Sequence, residues 1–97
     1  MKIVWRRTAE ADLDGVFDYI LQYDPGAALR LYETIRKAVE RLAIHPALGR
    51  VGRVEDMREL PIAGTPYLVA YTVDRRIDAV VILGVLHGRQ NWPEELD

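Results

Sequence analysis

Tyr67-Leu68-Val69-Ala70-Tyr71-Thr72-Val73, then Asp74-Arg75-Arg76-Ile77-Asp78, then Ala79-Val80-Val81-Ile82-Leu83-Gly84-Val85-Leu86 is the stretch that decides the fold. Two β-prone runs flank a short polar break, which is the pattern of a β-hairpin. The break lacks the Asn-Gly pair that would fix a turn type. The second run is apolar at every position and rich in Val and Ile, so it predicts a strand covered on both faces and central in a sheet. It stops at His87, and Arg89 and Trp92 follow closely. Polar chemistry at the end of a rigid, buried strand marks a place to look for function.

Working back toward the N-terminus, Ala63-Gly64-Thr65-Pro66 is a turn. Residues 56–62 read as a strand, with Met57, Leu60 and Ile62 apolar and Pro61 pointing to an edge or a bulge. Residues 46–55 read as a loop punctuated by Pro46, Gly49 and Gly52 and made basic by Arg50 and Arg53. Before it, Ala28, Leu31, Tyr32, Ile35, Ala38, Val39 and Leu42 recur at helical spacing. They predict a helix over 25–44, capped by Asp24 with Pro25 at its first position and ended by His45-Pro46. Glu33 and Lys37 stand four apart in the favourable order for an ion pair. Leu13, Val16, Phe17, Ile20 and Leu21 give a second helix over 9–22, with Thr8 as its N-cap and Glu10 and Asp12 near its positive end. Gly15 weakens that helix by about 1 kcal/mol relative to Ala where it is exposed. The short run Ile3-Val4-Trp5 predicts a strand over 2–6. The order is strand, helix, helix, strand, strand, strand: an α+β, two-layer domain whose helix hairpin packs on one face of a mostly antiparallel sheet.

The 97 residues fit a single domain over 1–97, with 49% apolar residues for one core. A net charge of −2 gives no global field toward nucleic acid or an anionic membrane. There is no cysteine, and His45 and His87 have no ligand spacing, so neither disulfides nor a zinc site is expected, and no cofactor. Met1-Lys2-Ile3-Val4-Trp5-Arg6-Arg7 turns polar at once, which predicts no secretory leader. With the longest apolar run far short of the ~20 residues that span a bilayer, a cytoplasmic location without membrane contact is expected.

Particular words stand at particular places on this frame: Val4-Trp5 and Ala9-Glu10-Ala11-Asp12-Leu13, then Met57-Arg58-Glu59-Leu60, Pro66-Tyr67-Leu68-Val69-Ala70-Tyr71, and Val85-Leu86-His87-Gly88-Arg89-Gln90 with Trp92-Pro93 behind. In this order the chain resembles the RelE/ParE toxins of bacterial type II toxin–antitoxin pairs over nearly its whole length. The resemblance implies a toxin neutralised by a small antitoxin whose extended C-terminal segment wraps it, and hence a hetero-oligomer. It also implies one of two targets. RelE-like members enter the ribosome and cleave mRNA, whereas ParE-like members poison DNA gyrase, an activity tied to plasmid stabilisation.

Cleavage of the RelE kind needs a base for the ribose 2′-hydroxyl, cations for the charge on phosphorus, and an acid for the leaving oxygen. The resemblance makes Arg58, His87 and Arg89 the catalytic candidates, with Arg53 as a further phosphate binder. Each has a plainer reading. His87 would satisfy a neighbouring backbone group, Arg58 would pair with Glu55 or Asp56, and Arg89 and Trp92 would clamp the C-terminus to the core. Arg75 and Arg76 would solvate a turn, and at least one of Tyr67 and Tyr71 would be core. RNA-cleaving members typically carry a basic residue where this chain has Leu68. Residues 50–90 hold six arginines against five acids, too thin a surplus for a phosphate track. The ParE-like side, directed at gyrase, is therefore expected. The alternatives are a ribosome-dependent mRNA endoribonuclease and an inactive member that only binds antitoxin.

Overall fold

The computed structural model describes residues 1–89. The expected clamp by Trp92 lies outside the described residues, as do residues 94–97. Eight elements follow in order: β1 (Lys2–Trp5), α1 (Arg7–Leu21), α2 (Pro25–Glu40), a 3₁₀ turn (Arg41–Ala43), β2 (Arg50–Val51), β3 (Arg58–Pro61), β4 (Tyr67–Asp74) and β5 (Ala79–His87). The strands form one sheet in the order β1-β5-β4-β3-β2. β1 runs parallel to β5, and every other pairing is antiparallel. The two helices pack on one face, as the apolar stripes require.

β5 is central, between β1 and β4, and is buried from Ala79 to Leu86. A bulge explains how it serves both faces. The pairing with β4 slips between Ala70 and Tyr71, so Ala70 meets Gly84 while Tyr71 meets Ile82. Val80, Ile82 and Val85 therefore join the core under the helices, with Leu13, Ile35, Val39, Leu42, Val69 and Tyr71. Val81 and Leu83 turn to the opposite face, beside Val4 and Met57, and Leu86 does so beside Leu68 and Ala70.

Three local expectations change. The loop over 46–55 contains the short strand β2, whose Arg50 and Val51 pair with Glu59 and Arg58. The strand expected over 56–62 keeps only Arg58–Pro61. Thr8 is not a cap: α1 begins at Arg7 with Arg6 at the N-cap position and no side-chain cap. Thr8 has a different task. β1 ends opposite Ile82, which leaves the rest of β5 without a strand on that side. The Thr8 hydroxyl donates to the Leu83 carbonyl at 3.3 Å, and the Val85 N–H donates to Asp12 at 3.1 Å. Two side chains one helical turn apart thus continue the ladder that β1 abandons, and they answer backbone groups that burial would otherwise leave unmet. Burial pushes the Asp12 carboxyl above its usual range, and the Val85 N–H opposes that rise.

The second helix starts as the sequence requires. Pro25 is its first residue, and Asp24 accepts from the Ala27 N–H at 3.1 Å. It tightens into the 3₁₀ turn at Arg41 rather than running on to Ile44. No ion pair joins Glu33 to Lys37 among the described residues. The bridge that does form is between helices: Arg36 reaches Glu10 of α1 with two hydrogen bonds of 3.2 and 2.8 Å, and its guanidinium lies 4.4 Å over the Trp5 ring. Desolvation lowers the Arg36 pKa, but Glu10 and Tyr32 outweigh it and the net direction is up.

Candidate functional site

The sequence-predicted residues fall at two places on the sheet. Arg58 opens β3, next to the edge strand β2. Its Nη1 donates to the Gly49 carbonyl at 2.7 Å, so its partner is a backbone group and not Glu55 or Asp56. The same glycine is held from its other side. The Tyr71 hydroxyl accepts from the Gly49 N–H at 2.8 Å and donates to the Pro46 carbonyl at 2.7 Å. A side chain at 49 would put Cβ 2.7 Å from the Tyr71 hydroxyl and 2.8 Å from the Glu59 carbonyl, so only glycine fits there. Tyr71 is fully buried, which places the core tyrosine of the expected pair. Burial pushes its hydroxyl pKa up, against the opposing pull of the Gly49 N–H and Arg58.

Arg50 and Arg53 converge on Glu59. This carboxylate is only 3% exposed. It accepts from Arg50 Nη2 at 3.1 Å, from the Arg53 N–H at 2.9 Å and from Arg53 Nε at 3.3 Å. Burial alone would raise its pKa, but the Arg53 N–H and the two cations hold it below the usual glutamate value. Glu59 is the charged residue that the sequence reading passed over. Its signal was an acid inside the otherwise apolar and basic Met57-Arg58-Glu59-Leu60 run.

His87 ends β5 and pairs with Tyr67 of β4, whose ring meets the imidazole edge to face at 5.7 Å. Its Nδ1 accepts from the Arg89 N–H at 3.2 Å, closing a small turn at the strand end. Arg89 is exposed. His87 and Arg89 are thus brought together, but Arg58 is not brought to them. Tyr71, the neighbour of Arg58, and Tyr67, the neighbour of His87, are four residues apart on β4. With two strand spacings across the sheet, the backbones of Arg58 and His87 stand about 16 Å apart. An arginine already bonded to Gly49 and a histidine bonded to its own strand end do not converge on one phosphate. Leu68, which stands where RNA-cleaving members carry a basic residue, is buried beside Ala70 and Leu86. Among the described residues no group of three or more His, Asp or Glu is arranged to hold a metal ion, and no helix is long and apolar enough to cross a membrane.

The chain matches the family described as the ParE toxin of the type II toxin–antitoxin system parDE over residues 3–92. It is 41% identical over 95 residues to the toxin-like protein Y4kP of Sinorhizobium fredii, a match that covers 98% of this chain and 96% of that one. It is 38% identical over 72 residues to toxin RelE2 of Caulobacter vibrioides, covering 74% of this chain and 80% of the relative. Among solved structures it superposes with a TM-score of 0.80 and 27% identity on a chain of a chromosomal ParDE system from P. aeruginosa, covering 90% and 95% of the two chains. The RelBE2 toxin–antitoxin complex of Mycobacterium tuberculosis shares the fold, with a TM-score of 0.63, 22% identity and 89% and 95% of the two chains covered. A helix hairpin on a five-stranded, mostly antiparallel sheet, with a loop pinned to its edge by Tyr71 and Arg58, is thus the scaffold of a type II toxin. The chain belongs to the ParE toxin family within the wider RelE/ParE group.

Proposed function

We propose that this chain arrests bacterial growth by binding a protein target, DNA gyrase, without cutting RNA, and that a cognate antitoxin neutralises it. The observation that carries the reading is the separation of Arg58 from His87. Metal-free cleavage of RNA needs a base, a cation and an acid around one phosphorus atom. Here Arg58, one of the candidate cations, is committed to the Gly49 carbonyl about 16 Å by register from His87, which keeps only Arg89 of the catalytic candidates beside it. A buried Leu68 removes a further phosphate contact. The family match and the relatives drawn from toxin–antitoxin systems support an antitoxin partner.

The test is induction of the chain alone in bacteria carrying a DNA-damage reporter, with growth followed alongside and purified gyrase assayed for trapped double-strand breaks. Arrest with the reporter on and breaks trapped on gyrase is expected. Arrest with the reporter silent and translated messages cut would transfer the assignment to ribosome-dependent endoribonuclease. In that case His87→Ala and Arg58→Ala should abolish cutting. Normal growth would leave antitoxin binding as the chain's whole activity.

A further inference from the structure

Arg6 and Arg75 meet at one end of the sheet, on the face that the helices leave open. Trp5 packs toward the helices and Val4 away from them, so Arg6, next along the extended chain, turns to the open face. Arg75 stands in the turn between β4 and β5. Both line one hollow of about 510 Å³, together with Thr72, Val73, Asp74 and Arg76. Trp5 pairs with Ile82 and Thr72 with Val81, so β5 lies between Arg6 and Thr72 and the arginine reaches across it. Lys2, two positions before Val4, shares the open face and is exposed.

The charges of the hollow do not cancel. Its one acid, Asp74, is spent on Arg76: it accepts from the Arg76 N–H at 3.0 Å, from Nε at 3.3 Å and from Nη2 at 3.2 Å. Three arginines less one aspartate leave two positive charges. They belong to Arg6 and Arg75, whose side chains have no partner among the described residues. Asp78, the other acid of the turn, does not line the hollow and bonds to neither. A guanidinium is a planar fork of donors that fits phosphate oxygens, and here two forks stand open in one place. The rest of the lining decides among polyanions. Among the described residues no aromatic ring borders the hollow, so unpaired bases have nothing to stack on. The Thr72 hydroxyl already donates to the Asp56 carbonyl at 2.8 Å, which leaves no uncharged side-chain donor in the lining to read a base edge. Cations without stacking or base contacts suit the backbone of a double helix, which carries one charge in about every 1.7 Å of its axis and is gripped without regard to sequence.

We propose that Arg6 and Arg75 form a phosphate clamp for duplex DNA on the open face of the sheet. The inference goes beyond the gyrase reading and does not rest on it, since it needs only the phosphates. The test is fluorescence anisotropy of two end-labelled duplexes of unrelated sequence, and of a single-stranded RNA, titrated with the purified chain over a range of salt. The two duplexes should bind alike and more tightly than the RNA. Counterion release from two phosphates is worth about tenfold in affinity between roughly 50 and 200 mM salt. Arg6→Gln combined with Arg75→Gln should therefore weaken duplex binding about tenfold or more at the lower salt, and should take about 1.8 off the slope of log affinity against log salt. Arg6→Lys combined with Arg75→Lys keeps both charges and should keep the slope. Lys37→Gln combined with Arg41→Gln removes the same charge from the helix layer, behind the sheet, and should change the slope by less than about 0.5. All four positions are exposed, and circular dichroism checks that each variant folds. The proposal is overturned if the parent shows no saturable binding to either duplex at low salt, if the helix-layer variant loses as much as the Arg6/Arg75 variant, or if the RNA binds more tightly than the duplexes.

Discussion

Tyr71→Phe removes one oxygen atom and tests what holds the loop between α2 and β3. That hydroxyl donates to the Pro46 carbonyl at 2.7 Å and accepts from the Gly49 N–H at 2.8 Å. Tyr71 and Gly49 are both buried, so water cannot readily replace the bond between them. The bond to the half-buried Pro46 carbonyl is worth about 1 kcal/mol net, and the buried Gly49 N–H left unsatisfied costs about 1–2 kcal/mol, the lower part of the range for such a group. The loop is not released altogether, because Arg58 still holds the Gly49 carbonyl. We expect a net loss of about 2–3 kcal/mol, a large share of the ~5–15 kcal/mol that stabilises a domain of this kind. On a chain of this length that loss lowers Tm by roughly 8–24 °C. Equilibrium urea denaturation gives the free energy, and a thermal melt gives the shift. Tyr67→Phe is the control: no hydrogen bond of the Tyr67 hydroxyl is found among the described residues, and the change should stay within about 0.5 kcal/mol. A Tyr71→Phe loss below about 0.5 kcal/mol would show that the hydroxyl is not the clamp, and the account of Gly49 would fail with it.

Gly15→Ala should stabilise the chain by about 0.5–1 kcal/mol, because a methyl group there meets nothing within 4 Å and the helix gains propensity; a measured loss would mean that α1 is strained at that turn. A double-mutant cycle of Glu10→Gln and Arg36→Met should give a coupling of about 0.5–1 kcal/mol for the partly exposed bridge over Trp5, and a coupling near zero would reduce Arg36 to packing alone. Glu59→Gln should destabilise the chain at neutral pH. A carboxyl whose folded pKa is depressed contributes stability that is fully present above its unfolded value of 4.5 and is lost as pH falls through the folded value. The gap between parent and variant in denaturant titrations should therefore hold from pH 7 to about 5.5 and close toward pH 3, and a gap independent of pH would remove the charge from the explanation.

How much of this was legible in the sequence depended on whether a residue answers to its own neighbours or to a distant element. β5 was legible because burial on both faces demands an unbroken apolar run, and eight such residues leave few other readings. The bulge within it was not, since one residue of slip changes no residue type. Asp24 and Pro25 were legible because capping is settled within a single turn. Thr8 and Asp12 look like the same kind of signal, but their roles depend on where β1 stops, more than seventy residues away from Leu83 and Val85 in the chain. β2 was hidden for a related reason. Two residues carry no periodicity, and Arg50 and Val51 are a strand only because β3 offers them an edge.

The candidate site shows the same division in its charges. Arginine was read as a phosphate binder wherever the family words placed one, yet an arginine's use is set by what lies within reach of its fork. Arg58 reaches the Gly49 carbonyl, Arg50 and Arg53 reach Glu59, and Arg36 reaches Glu10, so each works first to hold loops and helices to the sheet. In the sequence Lys37 read as the ion-pair partner of Glu33, and Arg41 as part of the charged face of a helix. Placed beside Leu60, Pro61 and Ile62, they border a trough between α2 and β3. In a chain of net charge −2, most cations near the sheet edge already answer a carboxylate or a carbonyl, so an arginine in a family word is not by itself a sign of a phosphate track.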